Sequence, residues 1–267
     1  MAQNSLNTDK SSKVVAGTKA IDRALSVLSS FVDAPEQGIK EMAGNADLSP
    51  STVHRIVQAL VQNGYLEQSA ETDRYHLGHV AYVLGQSARD SWGFDRALPI
   101  LERIGSITGE SVNMGIPDGN EVVVILRVES VQPLRFDQPA GSRLAMHGSS
   151  MGKALLAFSD DPLPELSYER ITPTTIVTEV DFEKELAATR ERGFSIDNQE
   201  SIPGVSCVAA PILNSEGFAV AAIAVQGPTV RMSPERIDAI ADQARASAEE
   251  IRATLGLDKL SELGPST

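Results

Sequence analysis

One segment limits the possible folds of this chain more than any other, residues 48–78, which begin Leu48-Ser-Pro50 and end Arg74-Tyr-His-Leu-Gly78. Ser49 is a helix N-cap, and Pro50 sits at the first helical position, where its missing N–H costs nothing. Val53, Ile56, Val57, Leu60 and Val61 then recur at helical spacing and make one apolar stripe. Ser51, Arg55, Gln58 and Gln62 project roughly opposite, with Thr52 and His54 on the flanks. Asn63-Gly64 supplies a left-handed C-cap, and residues 66–77 read as a two-stranded ribbon. A short helix with a polar outer face, a glycine stop and a ribbon are the parts of a winged helix-turn-helix, which lays a helix in the DNA major groove.

The charge of the whole chain opposes that reading, with a net −13 and a pI near 4.8. Its distribution removes most of the conflict. Residues 1–92 carry a balance of only −2, so −11 lies beyond them. Between Leu48 and Leu66 there is no acidic residue. DNA binding depends on local phosphate neutralisation, which this segment permits.

The 267 residues suffice for two domains of ordinary size. Residues 1–17 are polar and aperiodic and read as a disordered lead. In a first helix from near Thr18, Ile21, Ala24, Leu25, Leu28, Phe31 and Val32 mark one face, and Asp33-Ala-Pro35 ends it. A short helix over 39–46 precedes the turn into the capped helix. Residues 79–92 read as a linker helix. Beyond them the pattern changes to a helix from Leu98, strands at 111–116, 121–128 and 134–138, helices at 148–158 and 182–192, strands at 206–213 and 218–226, and a helix from Ser233 to Leu255. The expected division is 1–17 lead, 18–78 winged helix-turn-helix, 79–92 linker, 93–257 sheet domain and 258–267 flexible tail. The fold class is α+β.

Arginine can bond guanine O6 and N7 together, so Arg55 is the first candidate for DNA contact, against the alternative of a solvated surface arginine. Ser51 and Thr52 near the helix N-terminus, with His54 and Gln58, suit phosphate or base contacts. Arg74 and His76 in the ribbon are candidates for phosphate, or simply exposed. The run His147-Gly-Ser-Ser-Met-Gly-Lys-Ala154 has the wrong glycine spacing for a phosphate loop, and no motif supports a Ser–His catalytic pair. As a helix start it offers backbone N–H groups of 149–152 to an anion, unless Ser149 or Ser150 caps them. Cys207, the only cysteine, excludes an internal disulfide and is flanked by apolar residues, as in a core or a pocket wall. The four histidines and one cysteine lack zinc-ligand spacing. No metal, cofactor or catalytic constellation is expected. No apolar run approaches the ~20 residues of a membrane helix, and the N-terminus has no signal-peptide core, so a cytoplasmic location is expected.

In order and spacing, several blocks resemble the IclR-type bacterial transcriptional regulators. They are Arg23-Ala-Leu-Ser-Val-Leu28, Ser51-Thr-Val-His-Arg55, Leu60-Val-Gln-Asn-Gly-Tyr65 and Arg74-Tyr-His-Leu-Gly78. Later come Met146-His-Gly-Ser-Ser-Met-Gly-Lys-Ala-Leu-Leu-Ala157, Arg192-Gly-Phe-Ser-Ile-Asp-Asn-Gln-Glu200, Gly204-Val-Ser-Cys-Val-Ala-Ala-Pro-Ile212 and Ala221-Ala-Ile-Ala-Val-Gln-Gly-Pro228. The resemblance implies a winged helix-turn-helix joined through a linker helix to a GAF-like α/β effector-binding domain. It implies a homodimer or homotetramer on double-stranded operator DNA, more often a repressor, answering a small effector such as an organic or aromatic acid. By the same resemblance Asp197 and Cys207 belong to the effector pocket, with Met146, Ser150, Met151, Gly152, Val205, Ser206 and Ala224 at or beside it. Met151 is larger than the residue common there in relatives that bind very small acids, and many relatives carry a basic residue where this chain has Pro50. The rival readings are an enzyme with an accessory DNA-binding module, or a winged helix serving only protein interaction.

Overall fold

The structure, a computed structural model, describes residues 18–32 and 34–256. The expected lead at 1–17, the tail at 258–267 and Asp33 lie outside those residues. The chain forms two compact units, divided between Ser91 and Trp92.

In the first unit α1 (Lys19–Ser29), α2 (Ile39–Asn45) and α3 (Pro50–Gln62) are followed by the ribbon β1 (Leu66–Gln68) and β2 (Tyr75–Leu77), then α4 (His79–Trp92). Local chemistry sets these limits. The Ser49 hydroxyl accepts from the Thr52 N–H at 3.3 Å, Pro50 opens the helix, and Gly64 follows it at φ +74°. A Cβ on Gly78 would lie 2.4 Å from the Gly64 carbonyl oxygen, so the start of α4 and the end of α3 approach as only glycine allows. Gln37 exchanges two backbone hydrogen bonds with Tyr75, at 3.0 and 2.8 Å, adding a bridge to the ribbon.

The core here is Val27, Phe31, Met42, Ala43, Val53, Val57 and Leu66. On α1 the inward stripe is thus 24, 27, 28 and 31, the i, i+3, i+4, i+7 set. Ile21, Leu25 and Val32 fall beside that stripe and are exposed, contrary to the sequence expectation, as is Val61 on α3. No residue of α4 is buried.

The second unit is built on a six-stranded, fully antiparallel sheet in the order β5-β4-β3-β8-β7-β6. Its strands are β3 (Ser111–Asp118), β4 (Glu121–Val128), β5 (Arg143–Ala145), β6 (Ser195–Asn198), β7 (Val205–Leu213) and β8 (Ala219–Pro228). Side chains alternate across a strand, and the two faces differ accordingly. Val112, Met114, Val208, Ala210, Ile212, Ala221, Ile223 and Val225 pack with residues of α5 (Leu98–Thr108) and α8 (Pro234–Leu255) into one apolar core. Ala209, Ala222 and Ala224 face the other way, toward α6 (Ser150–Ala157). Beyond α6 lies α7 (Glu179–Arg192), whose Phe182 and Leu186 pack with Ala157.

Residues 134–138 form no strand. β5 takes the Glu121–Val123 part of the β4 edge, and Pro133 and Pro139 flank the segment, where neither can donate to a ladder. The helix expected from residue 148 begins at Ser150, because Ser149 is its cap: the Ser149 hydroxyl accepts from the Gly152 N–H at 3.1 Å.

Candidate functional site

Two surfaces carry the residues singled out in the sequence, one in each unit. On α3, Ser51, His54, Arg55 and Gln58 are exposed, and Thr52 is half-buried. Ser51 and Thr52 are grouped by the cap, since the Ser49 hydroxyl lies 3.1 Å from that of Ser51 and 2.9 Å from that of Thr52. Among the described residues no ion pair or hydrogen bond engages the Arg55 guanidinium. Thr52 and Arg55 also line a groove of about 360 Å³ whose far wall is α1, with Ala20, Arg23 and Ala24. Arg23 is a second cation at this surface that the sequence reading left out; its place opposite Arg55 depends on how α1 crosses α3, which spacing along the chain does not reveal.

The ribbon residues stand differently. Arg74 Nη2 donates to a Glu41 carboxylate oxygen at 2.6 Å and to the Glu36 carbonyl at 2.9 Å, which ties the ribbon to α2. The Glu41 carboxyl is held below its ordinary range, first by the Gly38 N–H and then by Arg74. His76 Nδ1 lies 3.1 Å from the Leu77 carbonyl.

The second surface is a cleft on the α6 side of the large sheet. Of the expected residues, Ser150, Met151, Asp197, Val205, Cys207 and Ala224 line it together. Pairing across the strands explains the grouping. Asp197 stands opposite Cys207, Cys207 opposite Gln226 and Gln226 opposite Ser111, so the four share one row and one face. The other three expected residues lie beside the cleft. Met146 is buried in the apolar cluster under α6. A Cβ on Gly152 would fall 2.2 Å from the Met146 carbonyl oxygen, so this glycine serves the close approach of α6 to that backbone. Ser206 points to the opposite face of β7, and its hydroxyl lies 3.1 Å from that of Thr229. Ser149, the cap of the helix start considered for an anion, also lines the cleft, as do Gln226, Ser201, Ile202, Leu144, Phe136 and Gln138, which the sequence does not single out. Gln226 had a signal, since it follows Ala224 by two in a strand. Phe136 and Gln138 had none, as they come from the loop mistaken for a strand.

The electrostatics of this cleft are unusual for a protein interior. Asp197 is almost fully buried, and its carboxylate accepts from the Glu200 N–H at 2.6 Å, from the Ser201 N–H at 3.4 Å and from the Ser201 hydroxyl. Burial pushes its carboxyl upward, while the Ser201 hydroxyl, the Glu200 N–H and Lys153 pull it back. Lys153 on α6 is completely buried; its Nζ lies 2.6 Å from one Glu200 oxygen and 3.7 Å from Glu185, which also binds Arg192 at 2.5 Å. Burial raises Glu200 as well, against the attraction of Lys153. It drives the Cys207 thiol well above its ordinary value, and the Asp197 charge adds to this, so Cys207 is a poor nucleophile here.

Two buried polar atoms lack a hydrogen-bond partner among the described residues, Glu200 Oε2 and Gln226 Nε2. An unmet buried donor costs about 1–3 kcal/mol, and that of Gln226 belongs to a side chain lining the cleft. The cleft itself is narrow: the space open to the centre of a water-sized sphere is about 10 Å³, enough for roughly one water. Among the described residues no group of three or more His, Cys, Asp or Glu is placed to hold a metal ion, and no helix is long and apolar enough to cross a membrane.

Both units match known proteins. Residues 20–70 match the IclR helix-turn-helix domain, and residues 94–253 match the domain described as bacterial transcriptional regulator IclR C-terminal. The HTH-type transcriptional regulator BhcR of Paracoccus denitrificans is 37% identical over 241 residues, covering 88% of this chain and 86% of that protein. The HTH-type transcriptional repressor AllR of Klebsiella pneumoniae is 32% identical over 254 residues, covering 90% and 91%. Among solved structures, an IclR homologue from Microbacterium hydrocarbonoxydans complexed with 4-hydroxybenzoate superposes with a TM-score of 0.74 at 26% identity, covering 89% of this chain and 99% of that one.

Proposed function

The chain belongs to the IclR family of bacterial transcriptional regulators, and from that premise we propose that it is a cytoplasmic repressor whose operator binding is set by a small organic acid. It is a regulator, not an enzyme. α3 is the recognition helix: Arg55 reads a guanine, Ser51, Thr52, His54 and Gln58 contact neighbouring bases or phosphates, and Arg23 and the ribbon residue His76 contact the backbone. Arg74 braces the ribbon against α2 and contributes less to DNA. The protein acts as a dimer or a dimer of dimers, so that two α3 helices meet two half-sites about one turn of DNA apart. α4, with none of its residues buried, is the linker through which the second unit alters that spacing.

One observation carries the DNA half of this reading: the outer face of α3 is acid-free, and Arg55 upon it has no partner among the described residues. The effector half rests on the cleft. Its wall mixes the apolar Met151, Val205 and Ala224 with the Asp197 carboxyl and the unmet Gln226 amide donor. A donor without a partner suits a carboxylate oxygen, and the relative solved with 4-hydroxybenzoate makes that acid a first probe. The effector drives the change by binding one arrangement of the dimer more tightly than the other.

A duplex enriched from a random pool by the protein itself provides the test. Arg55→Ala lowers affinity for it about tenfold to a hundredfold, the ~1–3 kcal/mol of a bidentate base contact, while dimerisation persists. Unchanged affinity in a gel-shift titration removes Arg55 from the interface. Thermal-shift titration with 4-hydroxybenzoate and short oxo- and hydroxy-acids tests the cleft. Shifts that survive Asp197→Ala and Ser150→Ala place the ligand elsewhere.

A further inference from the structure

Space for one water cannot admit an organic acid, so a wall of the cleft must move before a ligand enters. Most of that wall is β-sheet and α6. Apart from Ser149, fixed as the cap of α6, two irregular segments complete it, residues 199–204, from which Ser201 and Ile202 face the cleft, and residues 130–142, from which Phe136 and Gln138 do.

The two are held to the body of the unit very differently. Thr172 Oγ1 and Thr174 Oγ1 donate to the Gln199 carbonyl at 2.7 and 2.8 Å, Thr175 Oγ1 donates to the Glu200 carbonyl at 2.7 Å, and Lys153 binds the Glu200 carboxylate at 2.6 Å. Segment 130–142 is fixed at its ends. The Ser130 hydroxyl donates to the Gly109 carbonyl at 2.7 Å, and the Gly141 N–H donates to the Val124 carbonyl at 2.7 Å. Between those ends two hydrogen bonds reach the body among the described residues. Arg231 Nη1 donates to the Leu134 carbonyl at 2.9 Å, and Asn113 Nδ2 donates to Gln138 Oε1 at a long 3.3 Å. Along this stretch Val131 and Leu134 stand 90% and 61% exposed, and the apolar packing is left to the half-buried Phe136 at the cleft. A segment with few buried apolar contacts and few bonds is the first to open.

From this contrast we infer that residues 130–142 are a strap closing the cleft, and that Arg231 is the positioning residue that latches it. Arg231 suits the task because its other donors are committed. Nε and Nη2 bind the buried Glu110 carboxylate at 2.7 and 2.6 Å, and Arg236 binds the same carboxylate at 3.0 Å. Releasing Leu134 therefore leaves the guanidinium where it is, ready to close again. The inference takes from the proposed function only that the cleft admits a small molecule.

Cys207 tests it without any ligand, because it is the only thiol in the chain and lines the cleft. Under native conditions iodoacetamide, whose iodide the thiolate displaces, labels Cys207 at a rate set by opening. Arg231→Gln speeds labelling of the full-length protein roughly tenfold or more, beyond what its fall in global stability, read from urea unfolding, accounts for, because the opening is local. Arg231→Lys falls between it and the wild type. Labelling of Arg231→Gln at the wild-type rate overturns the latch. Faster labelling from Thr172→Val but not from Arg231→Gln also overturns it, and makes residues 199–204 the gate. If Arg231→Gln does not fold, hydrogen exchange of the wild type decides: weaker protection at 131–138 than at 199–204 supports the strap, and the reverse order refutes it. Neither experiment depends on DNA or effector, so its failure leaves the regulatory reading to its own tests.

Discussion

The two faces of the large sheet are made by the same strands and do opposite things. Toward α5 and α8, β8 presents Ala221, Ile223 and Val225, all buried among apolar neighbours. Toward α6 the alternate positions of the same strand present Ala222 and Ala224, in a smaller apolar cluster with Met146 and Met151, and then Gln226, in a row with Cys207 and Asp197 and close to Lys153 and Glu200. Burial is similar on both sides; chemistry is not. One face is a core whose cohesion follows apolar area. The other holds charges and an unmet donor in a low-dielectric setting, a poor way to gain stability and a good way to make binding alter structure. Alternate residues of one strand thus serve the apolar support and the face proposed as the switch.

The largest effect that could break this contrast comes from Lys153→Met. It leaves Glu200, one oxygen of which already lacks a partner, as a buried charge without its main counter-ion, and costs about 3–5 kcal/mol. The double variant Lys153→Met with Glu200→Gln recovers most of that loss in urea unfolding. A double variant as unstable as the single one contradicts the role given to the pair. Ile223→Ala on the opposite face costs about 2–5 kcal/mol through lost burial and the cavity left behind. Its folded fraction keeps the wild-type ligand response; a lost response means the faces are not separable.

A smaller effect is electrostatic. Burial raises the Asp197 and Glu200 carboxyls. A carboxyl harder to ionise in the folded chain stabilises it fully below its unfolded pKa and loses that contribution as pH rises through the folded value. The stability of the wild type relative to Asp197→Asn therefore falls as pH climbs from about 4. Urea unfolding across a pH series measures the slope, and a rise in the same window contradicts the assignment.

Much of this was legible in the residues. Ser49, Pro50 and Gly64 delimit α3 by local chemistry, and the structure keeps those limits. Long apolar strands such as β4 and β7 agree with the sequence reading within a residue or two. β5 and β6, with three and four residues, were missed because pairing, not propensity, creates strands that short. The strap was mistaken for a strand because Leu134 and Phe136 alternate like one, while the competing claim of β5 on the β4 edge is a tertiary fact. Asp197 and Cys207 were reached by family resemblance alone. Lys153 carried its own signal, a lone charge in an apolar helical run, whereas its pairing with Glu200, 47 residues away, did not.

In the proposed function the polar face governs what α3 does on DNA. Its most direct test is the affinity of the full-length protein for its selected duplex, measured by fluorescence anisotropy with and without a bound acid, in the wild type and in Gln226→Met. Equal affinities are expected for the two proteins without ligand, with a shift on adding ligand in the wild type alone. A wild type that binds the acid in thermal-shift titration yet holds DNA with unchanged affinity would contradict it.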